Sequence, residues 1–519
     1  MVMGDLPQEA DVLVIGGGPG GYVAALRAAT LGKKVTLVEK EKLGGMCLHY
    51  GCIPSKTLIH AANFVEDARH AEEIGLSVST TVNIDKLRAW KQNVIGKLCS
   101  GIEHLCKKRG VTVIQGIAQF ESPNRALIHL ADGKQGIEFS KAIIATGSKS
   151  VEIPGFPYSR PRIWNSRKAL DLTEIPRRLL VVGAGYIGLE LGFMYAKLGS
   201  SVTIVEGLPY FLPQADAETR QLLEKRMKEL GVDLKLNCKV ESFSELNPAN
   251  QDATANMEKN QVGAAEGKKQ KSAVAAASGK KTQDQASGPA VSNASTPAVS
   301  DSSDAALAVK TSTGTVYTDY VLVCVGHKPF TEGLSLDKAR VLTDERGFIT
   351  TNISMQTNQP HLYAIGDVRG GPLLAHKAYL EGKVAGEHAS GIPAAFLAKV
   401  IPSVIFCDPE IASAGLTEDD AKKQGLVVKT AKFPFQASGR ALSMNATDGF
   451  VKVVATLDNQ LLGVQIVGPD AGELIGEAVL AIELGASVED FALSIHPHPT
   501  LSEGLSEAME NFLGKGVHS

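Results

Sequence analysis

A chain of 519 residues is long enough for three to four domains, and its 44% apolar and 21% charged content excludes fibrous and wholly disordered classes. With 53 basic against 56 acidic residues the net charge is −3, which gives no general attraction to nucleic acid or to an anionic membrane. Seven cysteines, an odd number with no secretory leader ahead of them, argue against a disulfide-stapled module and for a reducing compartment, the bacterial-type cytoplasm or the mitochondrial matrix.

In chain order, the first predicted element is a strand, DVLVIG, that runs into the turn Gly16-x-Gly18-x-x-Gly21, a helix and a second strand ending at Glu39. The apolar run Val12 to Leu26 is broken by five glycines and is shorter than the ~18 residues that suggest a membrane span. In such a turn the glycines let the backbone approach a pyrophosphate held at the helix N-terminus, and the distal carboxylate accepts from a ribose. A single turn of this kind is weak support. The segment RLLVVGAGYIGLELGFMYAKLGSSVTIVEG repeats the whole layout with Gly183, Gly185, Gly188 and Glu206, and each acid follows its last glycine by the same 18 residues (39 − 21 and 206 − 188). Two nucleotide modules in an α/β fold follow.

Between the modules lies LGGMCLHYGCIPSK, in which Cys47 and Cys52 precede a predicted helix. A helix start lowers a thiol pKa, so the pair suits a redox-active disulfide; a metal pair or two free core cysteines are the alternatives, and only His49 stands near as a further ligand. Helical patterning covers Lys56 to Arg109, and short strands end in KAIIATGS. After the second module, Ser244 to Val316 holds no aromatic residue before Tyr317. Asn247 to Ala305, rich in Ala, Ser, Gln and Lys, reads as a disordered insertion that splits a hairpin. Strands resume at TDYVLVCVG and LYAIGD, and the last hundred residues read as a separate α+β unit.

GGMCLHYGCIPSK, both glycine turns, ATGS, YAIGDV and HPHPTLSE together resemble the pyridine nucleotide:disulfide oxidoreductases, and among them the members that oxidise dihydrolipoyl groups. The likeness runs from about Asp11 to Leu513, apart from the insertion. It implies two Rossmann-like nucleotide-binding domains and a C-terminal α+β dimerisation domain. The implied division is an FAD-binding unit over 5–150, an NAD-binding unit over 151–325 interrupted at 247–305, a return to the FAD unit over 326–396 and the dimerisation unit over 397–519.

By the same resemblance FAD takes Gly16, Gly18, Gly21, Glu39, Lys56, Thr146, Gly147, Asp367 and Ala375, and NAD takes Gly183, Gly185, Gly188, Glu206 and Gly326, with no metal. Cys47 is implied as the interchange thiol and Cys52 as the flavin-side thiol. His498 is implied as base with Glu503 orienting it, and Lys56 with Glu190 as a pair beside the flavin. The implied partners are dihydrolipoyl carrier domains of an acyltransferase or glycine cleavage carrier protein, and a second copy of this chain in a homodimer.

Three departures stand out. Met46 replaces the family's usual Thr, His49-Tyr50 its Asn-Val, and Gly326-His327-Lys328-Pro329 its Gly-Arg-x-Pro, where Lys328 is expected to carry the positive charge. Glu206 argues against NADPH, because a carboxylate repels a 2′-phosphate. The ending NFLGKGVHS lacks the cysteine pair of mercuric reductases, and the paired cysteines separate the chain from transhydrogenases and from an inactive flavoprotein scaffold.

Overall fold

The computed structural model describes residues 8–246 and 304–518. The strand Gln8–Ile15 is buried along Val12 to Ile15, the continuous apolar run of a parallel strand covered on both faces. It pairs in parallel with Val35–Glu39 and with Gly133–Ile144, and the sheet is completed by Thr112–Gln115, the antiparallel pair Ile117–Ser122 and Arg125–Leu130, and the returning strand Leu362–Ala364. Late chain thus rejoins early chain in one sheet.

The second sheet is parallel throughout, in the order Asp233–Lys235, Ser201–Val205, Arg178–Val182, Tyr320–Val323 and Ile163–Trp164. Beside it the helix Tyr186–Lys197 is buried from Gly188 onward, because it lies between its own sheet and the helix Cys52–Arg69, whose Leu58, Ile59 and Ala62 share its core. The C-terminal unit is a five-stranded antiparallel sheet carrying the helices Ala471–Leu484 and Glu503–Phe512 over a core that includes Phe433, Phe435 and Phe512. The architecture is α/β, with two Rossmann-like units and a C-terminal α+β unit. Among the described residues no helix is long and apolar enough to cross a membrane.

The expected insertion, Asn247 to Ala305, lies outside the described residues as far as Ser303. Its end needs correction. Ala305 is only 1% exposed, and Asp304 pairs with Arg177 and, at 3.1 Å, with Arg178, so both residues belong to the fold. The strands on either side, Val240–Glu245 and Leu307–Thr311, pair antiparallel as a split hairpin should.

A charge network ties the three units together. Arg226 reaches Glu66 of the helix Cys52–Arg69 at 3.0 Å and Asp408 at 2.8 Å, and Lys197 meets the same Asp408 at 2.8 Å. Arg226, Glu66 and Asp408 are 17%, 8% and 31% exposed, so removing one partner leaves charge stranded away from water. Arg69 and Lys197 stay behind as partial replacements. Arg226→Ala is therefore expected to destabilise by about 2 kcal/mol, below the 3–5 kcal/mol of a fully orphaned buried pair. Thermal unfolding of the two proteins checks this, and an unchanged midpoint refutes it.

Candidate active site

The two glycine turns are built alike. At the first, Gly16 has φ +103°, and a Cβ there would fall 2.3 Å from the Ala145 carbonyl oxygen; a Cβ on Gly21 would fall 1.8 Å from the Gly16 oxygen. The turn closes only with glycine at both places. The matching contact in the second turn, between Gly188 and the Gly183 oxygen, is 2.0 Å. Gly18 and Gly185 cap their helices and face open space, with at most one atom as near as 4.0 Å to a Cβ. That leaves a clear approach to a helix N-terminus, the geometry an anionic pyrophosphate requires.

Each distal acid is fixed by its own turn. Glu39 accepts from Gly17 N at 2.7 Å and Glu41 N at 2.8 Å; Glu206 accepts from Ala184 N at 2.9 Å and Leu208 N at 3.0 Å. The equal offsets in the sequence are thus equal hydrogen-bond patterns in space.

A cavity of about 1120 Å³, large enough for a ligand bigger than a drug-sized molecule, opens beside the first turn. Of the residues expected at the site, Gly16, Gly18, Glu39, Cys47, Cys52, Lys56, Thr146, Gly147, Glu190, Asp367 and Ala375 line it. Gly21 is buried beneath it. Thr146 donates to the Phe330 carbonyl at 2.6 Å, Asp367 accepts from Ser148 at 2.6 Å, and Ala375 opens the helix Ala375–Ala389. Gly183, Gly185, Gly188, Glu206 and Gly326 do not line this cavity. The second turn addresses a separate position, while Tyr186 and Glu190, further along its helix, reach the cavity wall.

Cys47 and Cys52 are free thiols in the structure, hydrogen-bonded to each other. Cys52 starts the 18-residue helix Cys52–Arg69. The hydrogen bond from Cys47 is the main reason that Cys52 lies below the ordinary thiol value; Lys56 assists against the opposing effect of burial. The same bond, with burial, pushes Cys47 well up. The reduced pair therefore holds its negative charge on Cys52. Since a lowered pKa keeps the charged form as pH falls, thiolate absorbance that disappears in Cys52→Ser is expected to titrate below the ordinary thiol pKa of about 8.5. Removing the donor with Cys47→Ala should move that titration upward. A midpoint at or above the ordinary value in the parent protein refutes the assignment.

Lys56, one turn on, pairs with Glu190 at 2.8 Å, and Glu190 is 5% exposed. Sequence reading missed the third member. Phe406 places its ring 4.4 Å from the Lys56 ammonium and donates its backbone N–H to Glu190 at 3.0 Å. No local pattern marks Phe406, because its contacts lie more than 200 residues away in the chain.

His498 and Glu503 meet each other but not the cavity. His498 Nδ1 is 2.8 Å from Glu503 Oε1, and Thr500 N donates to Glu503 Oε2 at 2.8 Å. Against the upward push of burial, these contacts hold Glu503 below the usual carboxylate range. The imidazole is 79% exposed within one chain. His496 instead pairs with Glu477 at 2.8 Å and stacks on Phe491.

The departures resolve as contacts. His49 Nε2 lies 2.7 Å from the Leu43 carbonyl, and Tyr50 donates to Glu41 at 2.8 Å. His327 is half-buried, 3.3 Å from the Ser150 hydroxyl, with burial lowering its pKa. Lys328 is exposed, lines the cavity with His327 and lies 3.9 Å from Glu332, which also takes Lys149. Among the described residues no cluster of His, Cys, Asp or Glu could hold a metal ion.

Two glycine-turn units and a dithiol at a helix start beside a dinucleotide-sized cavity define a nucleotide-dependent thiol oxidoreductase. Residues 10–287 and 289–382 match the family pyridine nucleotide-disulphide oxidoreductase, and residues 401–509 match its dimerisation domain. Dihydrolipoyl dehydrogenase 3 of Haloarcula marismortui is 42% identical over 522 residues, covering 100% of this chain and 99% of that one. Dihydrolipoyl dehydrogenase of Bacillus subtilis is 42% identical over 520 residues, with the same coverage of 100% and 99%. The crystal structure of LpdA from Mycobacterium tuberculosis matches with TM-score 0.81 at 25% identity, covering 97% of this chain and 99% of that one. The HOCl-induced flavoprotein disulfide reductase RclA of Escherichia coli shares the fold, with TM-score 0.78 at 24% identity over 96% of this chain and 99% of that one. The chain belongs to the pyridine nucleotide-disulphide oxidoreductase family.

Proposed function

We propose that this chain oxidises dihydrolipoyl groups to lipoyl with reduction of NAD+, as a dihydrolipoyl dehydrogenase of the bacterial-type cytoplasm. The observation that carries the reading is the meeting of the Cys47–Cys52 dithiol and the Lys56–Glu190 pair on one cavity wall with the first glycine turn. In domain terms, 5–150 and 326–396 form the FAD unit, 151–325 the NAD unit and 397–519 the dimerisation unit.

FAD would be held by Gly16, Gly18 and Glu39 together with Lys56, Thr146, Gly147, Asp367 and Ala375, and NAD by Gly183, Gly185, Gly188, Glu206 and Gly326. When bound, FAD supplies the two-electron relay between the dithiol and NAD+. The protein's own part begins with the disulfide form of the cysteine pair. A substrate thiolate attacks Cys47 Sγ, the Cys47–Cys52 bond breaks, and Cys52 leaves as the thiolate its surroundings favour. The second substrate thiolate then attacks the substrate sulfur of the mixed disulfide, releasing lipoyl product and Cys47 as a thiol or thiolate. A base must take the substrate's protons, since a free thiol is mostly protonated at neutral pH. That base is His498 of the partner subunit, held by Glu503, because the imidazole stands exposed in one chain and the dimerisation unit carries it. Dihydrolipoyl carrier domains of an acyltransferase or of a glycine cleavage carrier protein deliver the substrate.

Steady-state reduction of NAD+ by free dihydrolipoamide tests the proposal, together with a dithionite titration in which four electrons per subunit are taken up, two by flavin and two by disulfide. No NAD+ reduction by a flavin-loaded enzyme sinks it. Glu206→Arg should lower kcat/KM for NAD+ at least about tenfold and raise it for NADP+, because the carboxylate that bonds a ribose hydroxyl is exchanged for a charge that meets a 2′-phosphate. A parent enzyme that already prefers NADPH contradicts the assignment.

A further inference from the structure

On the cavity wall next to Glu39, three residues outside the first glycine turn form a closed unit. The Arg167 guanidinium carbon lies 3.5 Å from the centre of the Tyr50 ring. Arg167 also reaches both carboxylate oxygens of Glu41, at 3.2 and 3.3 Å, and Tyr50 donates to Glu41 at 2.8 Å. All three line the cavity. Glu41 is tied in turn to the ribose-facing acid, since its N–H donates to Glu39 at 2.8 Å.

Arg167 is also firmly carried. It sits on the short helix Ser166–Asp171, where Asn165 accepts from Lys168 N at 3.0 Å. The other end is held by buried groups: Lys91 Nζ donates to the Leu170 carbonyl at 2.5 Å, and Tyr195 donates to the Ala169 carbonyl at 2.6 Å. Lys91 is 2% exposed, an unusual outlay of a buried cation on one helix end. Of the five guanidinium donors, two are turned to Glu41, which leaves others for a ligand. A cation flattened on an aromatic face beside a ribose acceptor suits the adenosine phosphate end of a dinucleotide, which offers both a π-surface and anionic oxygens.

We infer that Arg167, stacked on Tyr50 and paired with Glu41, is a positioning strap that holds the adenosine end of FAD from outside the first glycine module. The inference rests on the reading that this cavity binds FAD. Arg167 touches no reacting atom in this scheme, and its effect is on retention and placement of the dinucleotide.

The test uses the full chain stripped of flavin, titrated with FAD by fluorescence and with ADP by calorimetry. Arg167→Ala should weaken both ligands in parallel by about tenfold, equivalent to about 1.4 kcal/mol. Arg167→Lys should recover only part of that loss, because an ammonium keeps the charge without the planar stack. Tyr50→Phe should stay within about twofold of the parent, and Tyr50→Val should follow Arg167→Ala in direction. The tyrosine pair decides the matter if Arg167→Ala does not refold. Unchanged FAD affinity in Arg167→Ala or Tyr50→Val overturns the strap, as does a loss confined to FAD with ADP unaffected. Failure of the parent protein to bind FAD overturns the underlying cavity reading instead.

Discussion

Replacing Cys52 by Ser is expected to lower dihydrolipoamide-dependent NAD+ reduction by at least about a thousandfold, a barrier increase of about 4 kcal/mol, while the protein stays yellow. Cys47 remains free to be a nucleophile, yet no internal disulfide can form, so the substrate's electrons have no sulfur pair to enter. The glycine turn that holds the flavin is set by Gly16, Gly21 and Glu39, none of which contacts the lost sulfur in the hydrogen-bond network. Flavin absorbance together with turnover is therefore the required pair of measurements. Substantial turnover in Cys52→Ser removes the dithiol mechanism altogether.

The second large effect is a recovery. Cys47→Ser and His498→Ala should each be nearly inactive alone. Mixed and allowed to exchange subunits, they should regain activity approaching about a quarter of the parent, since half of randomly formed dimers are mixed and one of their two sites is intact. The structural reason is the placement of the His498–Glu503 pair at 2.8 Å from each other on a unit whose imidazole is 79% exposed, away from the cavity that Cys47 lines. Proven exchange with no recovery excludes a site shared between two chains.

Much of this site was legible in the sequence, because its most informative parts are local. A glycine turn, its helix and its acid lie within two dozen residues, and backbone sterics alone dictate which residue can stand at Gly16 or Gly21. The cysteine pair and the His498–Glu503 pair are equally local. Lys56 and Glu190 lie 134 residues apart, and only family likeness pointed to their partnership. Phe406 and Arg167 were not legible at all, since a lone Phe or Arg carries no period or spacing that distinguishes it from packing or a solvated surface. Lys328 was expected to carry the positive charge of its loop; it lines the cavity and lies 3.9 Å from Glu332, four residues on. The end of the low-complexity stretch was misjudged for a related reason. Composition is averaged over many residues, whereas the burial of Ala305 and the pairing of Asp304 are decided one side chain at a time.

The doubled pattern at Glu39 and Glu206 also bears on how such an enzyme can change over generations. Each acid binds one backbone N–H just after the first glycine and another two residues beyond itself, so it is part of the turn as well as a reader of the ribose. A mutation that drifts toward a phosphorylated nucleotide must leave two turn amides without their acceptor in the same step that alters recognition. Coenzyme choice in this chain is consequently protected by foldability. A single exchange such as Glu206→Arg is therefore expected to change recognition at a cost to the turn, a cost that rebuilding the loop together with the acid would remove.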